Sequence, residues 1–148
     1  MKEFLSAELK TQIKEVFADL RNPVEILFFG SEEENCDYCA PTLQLLEEVH
    51  GLSELISIRV YDIKADSDTA AQFHVDKAPG FVLAGKDNET LIDYGIRFAG
   101  LPAGHEFSSF INSILLVSKR DSGLSDKTRQ FLKELKQPVH LQVYVTQT

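Results

Sequence analysis

The chain holds only two cysteines, Cys36 and Cys39, and they form a single Cys-x-x-Cys, Cys36-Asp37-Tyr38-Cys39. Three chemistries use such a pair. As a structural bridge it would close a very small loop, which removes little entropy from the unfolded chain and makes a poor staple. A secreted domain held by disulfides carries more cysteines at wider spacing. As part of a zinc site it needs further donors, because a structural zinc ion takes four ligands. His50, His74, His105 and His140 are scattered and include no closely spaced pair, so a metal is not expected. The third chemistry is a dithiol that cycles between thiol and disulfide. Its requirement is positional: the pair should follow a buried strand and open a helix.

The flanking residues meet that requirement. Val24-Glu25-Ile26-Leu27-Phe28-Phe29 is β-branched and aromatic, nearly all apolar, and bounded by Asn22-Pro23 and Gly30. A strand buried on both faces reads this way. Beyond the cysteines, Leu43, Leu45, Leu46 and Val49 follow helical spacing, and His50-Gly51 supplies a stop. Cys36 is therefore expected at or near a helix N-terminus, where unpaired N–H groups and the helix dipole favour a thiolate. Cys39, one turn on, is expected on the same helix face within bonding reach. Pro41 is expected to bend the helix by removing a donor from its first turns. Asp37 and the run Glu32-Glu33-Glu34 put negative charge beside Cys36 and oppose the thiolate. That predicts a Cys36 pKa above those of strong oxidants, and a more reducing couple.

Further elements must hold this junction. Residues 6–20 read as a helix, with Leu9, Ile13, Val16, Phe17 and Leu20 on one face and Ser6 as N-cap. Ile56 to Asp62 alternates as a strand, and Asp66 or Ser67 caps a short helix running to His74. Phe81-Val82-Leu83, a turn at Gly85-Lys86-Asp87-Asn88, and Thr90 to Phe98 read as a hairpin. Gly80, Gly85 and Gly100 read as turn residues. After a loop at residues 99–104, His105-Glu106 begins a helix that carries Phe107, Phe110, Ile111, Ile114 and Leu115 on one side. His50 and His74 fall at helix ends, where a histidine is favourable in itself. The order α, β-α-β, α, β-β-α is most simply buried as one α/β sheet with helices on both faces.

Composition narrows the function. Fifteen lysines and arginines against 23 aspartates and glutamates give a net charge of −8. Phosphate binding needs clustered positive charge, so neither nucleic acid nor an anionic membrane is an expected partner. At 43% hydrophobic residues the chain can bury a core. Its apolar runs are strand-sized, too short to span a bilayer. The N-terminal MKEFLSAELK lacks the apolar stretch of a secretory signal, so a cytoplasmic location is expected.

The last stretch repeats the first. Residues 124–145 run Leu-Ser, a helix bearing Phe131, Leu132 and Leu135, Gln137-Pro138-Val139, then an alternating strand to Val145. Residues 5–29 follow the same plan. This divides the chain into a domain at 1–120 and a helix plus strand at 121–148. The latter resembles the start of a second unit, or simply a helix and strand that cap the sheet. Either way, Val139–Val145 is expected to seek an edge strand, in its own chain or in a second copy as a homodimer.

The succession of strand, Cys36-Asp37-Tyr38-Cys39, helix and a later Ala78-Pro79 before a strand resembles the thioredoxin/glutaredoxin superfamily. Arg97-Phe98-Ala99-Gly100-Leu101-Pro102-Ala103-Gly104-His105-Glu106-Phe107 makes the resemblance more specific. It is similar to the N-terminal unit of tandem protein disulfide oxidoreductases, and to the N-terminal domain of the flavoprotein component of alkyl hydroperoxide reductase. The resemblance implies a thioredoxin-like three-layer fold around a central mixed sheet, and thiol–disulfide exchange on protein disulfides. In that reading Cys36 attacks and Cys39 resolves, the redox disulfide is the working group, and no bound cofactor is implied. Tyr38 would cover the disulfide, Pro79 would be cis, and the backbone at Ala78 would pair with the partner's chain. A flavoprotein reductase is the implied electron donor. In the flavoprotein relative the first unit has lost its cysteines, which keeps a binding domain with non-catalytic cysteines as the alternative. Three departures stand out: Asp37 replaces the usual Pro or Gly, Gly30 offers no buried carboxylate beneath the pair, and the glutathione-binding pattern of glutaredoxins is absent.

Overall fold

In the computed structural model, residues 3–32 and 35–146 are described. The elements in chain order are α1 (Ala7–Phe17), β1 (Val24–Gly30), α2 (Cys39–His50), β2 (Ile56–Asp62), α3 (Ser67–Gln72), β3 (Gly80–Asp87), β4 (Thr90–Ala99), α4 (His105–Lys119) and α5 (Asp126–Lys133). The strands form one mixed sheet in the order β2-β1-β3-β4. β1 runs parallel to β2 and antiparallel to β3, and β3 and β4 form the antiparallel hairpin. This is the α/β architecture expected from the order of elements.

Every residue of β1 is buried, as a nearly all-apolar run requires of a central strand covered on both faces. Val24, Ile26 and Phe28 point to one side and meet Ile13 and Phe17 of α1, Leu45, Leu46 and Val49 of α2, and Phe110, Ile114 and Val117 of α4. On this side the ring of Phe81 stacks on Phe98 at 4.9 Å and meets Phe110 edge-on at 5.4 Å. Leu27 and Phe29 point to the other side, against Ala70 and Phe73 at α3. The layers are therefore α1, α2 and α4 on one face, the sheet, and α3 on the other.

Glu25 is the exception within β1. It is buried on the α3 side, where it pairs with Arg59 of β2 and lies 3.1 Å from Lys86 Nζ of β3, the latter as an ion pair without hydrogen-bond alignment. A buried carboxylate needs such partners, because an isolated buried charge is costly. Polar latches join distant parts of the chain. Ser118 Oγ near the end of α4 accepts from Arg21 N (2.9 Å) and Asn22 N (3.1 Å) and donates to Asn22 O (2.7 Å). The carboxylate of Glu48 in α2 accepts from Phe4 N (3.0 Å) and Leu5 N (2.9 Å). Burial pushes the Glu48 carboxyl up, but these N–H groups and the Gln44 amide outweigh it and hold it below the usual range.

Several expectations are corrected. The first helix ends at Phe17 rather than at residue 20, although Ser6 caps it as expected, its Oγ accepting from Leu9 N at 3.2 Å. Pro41 is the third residue of α2, where the backbone N–H has no intrahelical partner, so it removes no helical bond. Asp66 holds the N-cap position of α3 without capping it; its Oδ2 accepts from Asp62 N at 2.8 Å instead. Gly80 and Gly85 lie within β3 rather than in turns. Gly80 is required there by close packing, since a Cβ would stand 2.6 Å from Lys77 O. The hairpin turn is shorter than read: Asp87 pairs with Thr90, and Asn88 adopts φ 55°.

The C-terminal segment splits its expectation. α5 forms, and Ser125 Oγ accepts from Thr128 N at 3.3 Å, the same cap that Ser6 makes. Within the chain's own sheet the strand expected at Val139–Val145 does not form: among the described residues, 136–146 join no ladder, and Leu141, Val143 and Tyr144 are each 86% exposed. A strand exists only with a neighbour to hydrogen-bond, and this segment pairs with neither edge strand of the sheet, β2 or β4. Among the described residues no helix is long and apolar enough to cross a membrane.

Candidate active site

β1 delivers the chain to the site. It ends at Gly30, which pairs in register with Asp62 at the end of β2, so both parallel strands finish at one edge of the sheet. Ile63 N donates to Gly30 O at 2.9 Å, which extends that pairing past the strand ends. Asp62 then grips the departing loop: its Oδ2 accepts from Glu32 N at 2.9 Å, while Oδ1 accepts from Lys64 N and Ala65 N, both at 2.9 Å. These N–H groups, that of Ala65 first, hold the Asp62 carboxyl below the usual carboxylate range. Glu33 and Glu34, two of the acidic residues expected beside Cys36, lie outside the described residues.

The cysteines follow. Cys36 and Cys39 are joined by a disulfide with Cα atoms 5.3 Å apart. Cys36 is not itself helical, which refines the sequence expectation. It precedes a turn through Asp37 and Tyr38, closed by Cys39 N donating to Cys36 O at 3.1 Å, and Cys39 is the first residue of α2. Cys36 thus lies just beyond the N-terminal end of a 12-residue helix, the positive end of its dipole. Cys39 packs partly on the main core, above Gly30. Asp37 is exposed, and Tyr38 is 55% exposed on the rim of the pair.

The opposite rim comes from β3 and β4. Gly80 pairs with Phe29, one residue before the end of β1, so the preceding Ala78-Pro79 peptide lies at the same sheet end as the cysteine loop. That peptide bond is cis, and Pro79 is buried while Ala78 is partly exposed. Gly100 N donates to Pro79 O at 2.8 Å, with Gly100 at φ 95°, a conformation that suits glycine. The structure therefore brings together Cys36, Tyr38, Cys39, Ala78 and Pro79 at one edge. His50 Nδ1 meets Ile56 O at 2.6 Å near the far end of α2, and His105 is the first residue of α4. Among the described residues no group of His, Cys, Asp and Glu is arranged to hold a metal ion.

One support escaped the sequence reading. Arg97 donates its Nε to Phe73 O at 2.6 Å, and its Nη1 and Nη2 bond Asp93 Oδ1 and Oδ2 at 2.9 and 2.7 Å. Residues four apart in a regular strand stand too far apart for this. A bulge opposite Val82–Ala84, with Gly95 at φ 80°, brings them together. Arg97 heads the family-like segment and so fastens β4 to the end of α3, where the chain turns towards Ala78-Pro79.

Sheet order, the strand–disulfide–helix junction and the cis-proline strand together define a thioredoxin-like fold carrying a Cys-x-x-Cys disulfide ahead of α2. The chain's known relatives narrow the placement. It is 30% identical over 140 residues to the F subunit of alkyl hydroperoxide reductase in Pseudomonas aeruginosa, across 95% of this chain and 23% of that protein. A protein disulfide oxidoreductase from Aeropyrum pernix superposes with a TM-score of 0.75 at 30% identity, covering 88% of this chain and 55% of the other. The N-terminal domain of the corresponding alkyl hydroperoxide reductase protein from Enterococcus faecalis shares the fold, with a TM-score of 0.74 at 20% identity over 86% of this chain and 59% of that one. The chain spans about a quarter of the length of the curated relatives it matches. No protein-family model matches it.

Proposed function

We propose that this domain catalyses thiol–disulfide exchange on protein disulfides, with Cys36 as nucleophile and Cys39 as resolving thiol. The observation that carries the reading is the position of the Cys36–Cys39 pair: ahead of α2, at the sheet edge it shares with the cis Ala78–Pro79 peptide. From the reduced state, the Cys36 thiolate attacks one sulfur of a partner disulfide and the other partner sulfur leaves as a thiolate. Cys39, as thiolate, then attacks Cys36 Sγ and expels the second partner sulfur. The partner gains two electrons and two protons, and the pair closes to its disulfide. Ala78 offers its backbone to an extended partner segment, and Tyr38 covers the sulfurs.

The disulfide is the working redox group. Likeness to the hydroperoxide reductase protein supports a flavoprotein reductase as electron donor. Residues 121–148 are read as the opening of a second unit. What supports this is the serine cap that α5 shares with α1, and the exposed apolar side chains that follow it.

The test is reduction of a protein disulfide by the domain under continuous supply of dithiol. Cys36→Ser is expected to lose turnover entirely, and Cys39→Ser to accumulate a mixed disulfide visible by intact mass. Turnover by Cys36→Ser, or partner binding without turnover by the unaltered protein, would favour the alternative of a binding domain with non-catalytic cysteines.

A further inference from the structure

Thr42 lies in α2, wholly buried, and its Oγ1 has no hydrogen-bond partner. A threonine in a helix ordinarily turns its hydroxyl to a carbonyl one turn back. Here Tyr38 O accepts only the backbone N–H of Thr42, at 3.0 Å, and the hydroxyl is left unpaired. A buried hydroxyl in that condition is destabilising.

Its position suggests when the partner arrives. Thr42 follows Cys39 by three residues on the same helix, the spacing of side-chain neighbours. Helical side chains lean towards the helix N-terminus, which for Thr42 is towards Cys39. Cys39 Sγ also lies against β1 where β1 has no side chain to offer, since a Cβ on Gly30 would stand 3.8 Å from it. In the disulfide, that sulfur has no proton to donate and carries no charge. In the dithiol it becomes an S–H donor or a thiolate acceptor.

We propose that Thr42 is a positioning residue for the resolving cysteine: its hydroxyl, unpaired in the oxidised protein, pairs with Cys39 Sγ once the disulfide is reduced. It accepts from the thiol and donates to the thiolate, favouring the form of Cys39 that attacks the mixed disulfide. The same hydroxyl penalises only the oxidised state, so it biases the couple towards the dithiol. The inference rests on the reading of the pair as a cycling dithiol, and it goes beyond that reading by coupling a core hydroxyl to the redox state.

The experiment is the equilibrium of the full chain with glutathione or dithiothreitol, read by alkylation and intact mass. It compares the unaltered protein with Thr42→Val, which keeps the shape, and Thr42→Ser, which keeps the hydroxyl. Thr42→Val is expected to shift the equilibrium about tenfold towards the disulfide, a midpoint about 30 mV more negative. Thr42→Ser is expected to stay close to the unaltered protein. Thermal midpoints taken in both redox states add a second reading: Thr42→Val should raise the oxidised midpoint and fail to raise the reduced one. If Thr42→Val folds poorly, Thr42→Ala deletes the same hydroxyl. Equal shifts for valine and serine, no shift for valine, or equal changes of midpoint in both redox states would overturn the role of Thr42. An unaltered pair that never cycles would instead overturn the exchange reading beneath it.

Discussion

Two regions of this molecule follow one sequence plan and meet different ends. Leu5-Ser6, α1, Asn22-Pro23-Val24 and β1 are matched by Leu124-Ser125, α5, Gln137-Pro138-Val139 and the stretch to Val145. Both helices start on a serine whose Oγ accepts from the N–H three residues on. There the likeness stops. α1 buries Ile13 and Phe17, whereas α5 buries nothing and leaves Phe131 63% exposed. β1 is flanked by β2 and β3 and leads to the dithiol, whereas Val139–Val145 has no strand beside it. Caps and periodicity are local and suffice to start a helix. A strand, and a core, also need a neighbour.

The largest expected effect lies in the helix faces. Phe17→Ala should cost about 3–5 kcal/mol in denaturant unfolding, as truncation of a core aromatic does. Phe131→Ala should stay within about 0.5 kcal/mol, as an exposed substitution does. Similar losses at both positions would break the contrast and show that α5 packs in solution. A smaller effect is expected at the caps. Ser6→Ala should lower global stability by about 1 kcal/mol. Ser125→Ala should leave the global unfolding midpoint unchanged and show itself only as faster amide exchange across residues 126–133.

The smallest effect is one of pH, and it probes the loop that leads from β1 to the cysteines. Asp62 is held below its ordinary range by the N–H groups of Ala65, Glu32 and Lys64. A carboxyl so depressed contributes stability above its unfolded value of about 3.9, and that contribution is lost as pH falls through the lower folded value. Thermal unfolding followed from neutral pH to about pH 3 should therefore fall more steeply for the unaltered protein than for Asp62→Asn. Parallel curves would mean that the carboxylate does not hold the loop.

Much of this was legible in the residues. β2 spans the residues expected from its alternation, and β1 extends the expected run only by Gly30, because strong periodicity between turn residues leaves little choice. The dithiol stood out because its two residues are the chain's only cysteines. What stayed hidden depends on three-dimensional neighbours. Glu25 sits in an apolar run, and only the fold brings Arg59 and Lys86 beside it. Arg97 and Asp93 meet through a bulge that no strand periodicity announces. Gly80 read as a turn because its close approach to Lys77 O is a tertiary fact. Val139–Val145 carries a strand's pattern, and pattern alone cannot supply a partner.

The central claim is that Cys36 and Cys39 form a working redox couple. The most direct test is an equilibrium redox titration of the pair, quenched by alkylation and read by intact mass, because the chain has no tryptophan to report. The account predicts a reversible two-electron transition with a midpoint between about −180 and −270 mV, the range of thioredoxin-like exchangers. A midpoint below about −300 mV, or a pair that alkylates once and never closes again, would contradict it and mark the bond as structural.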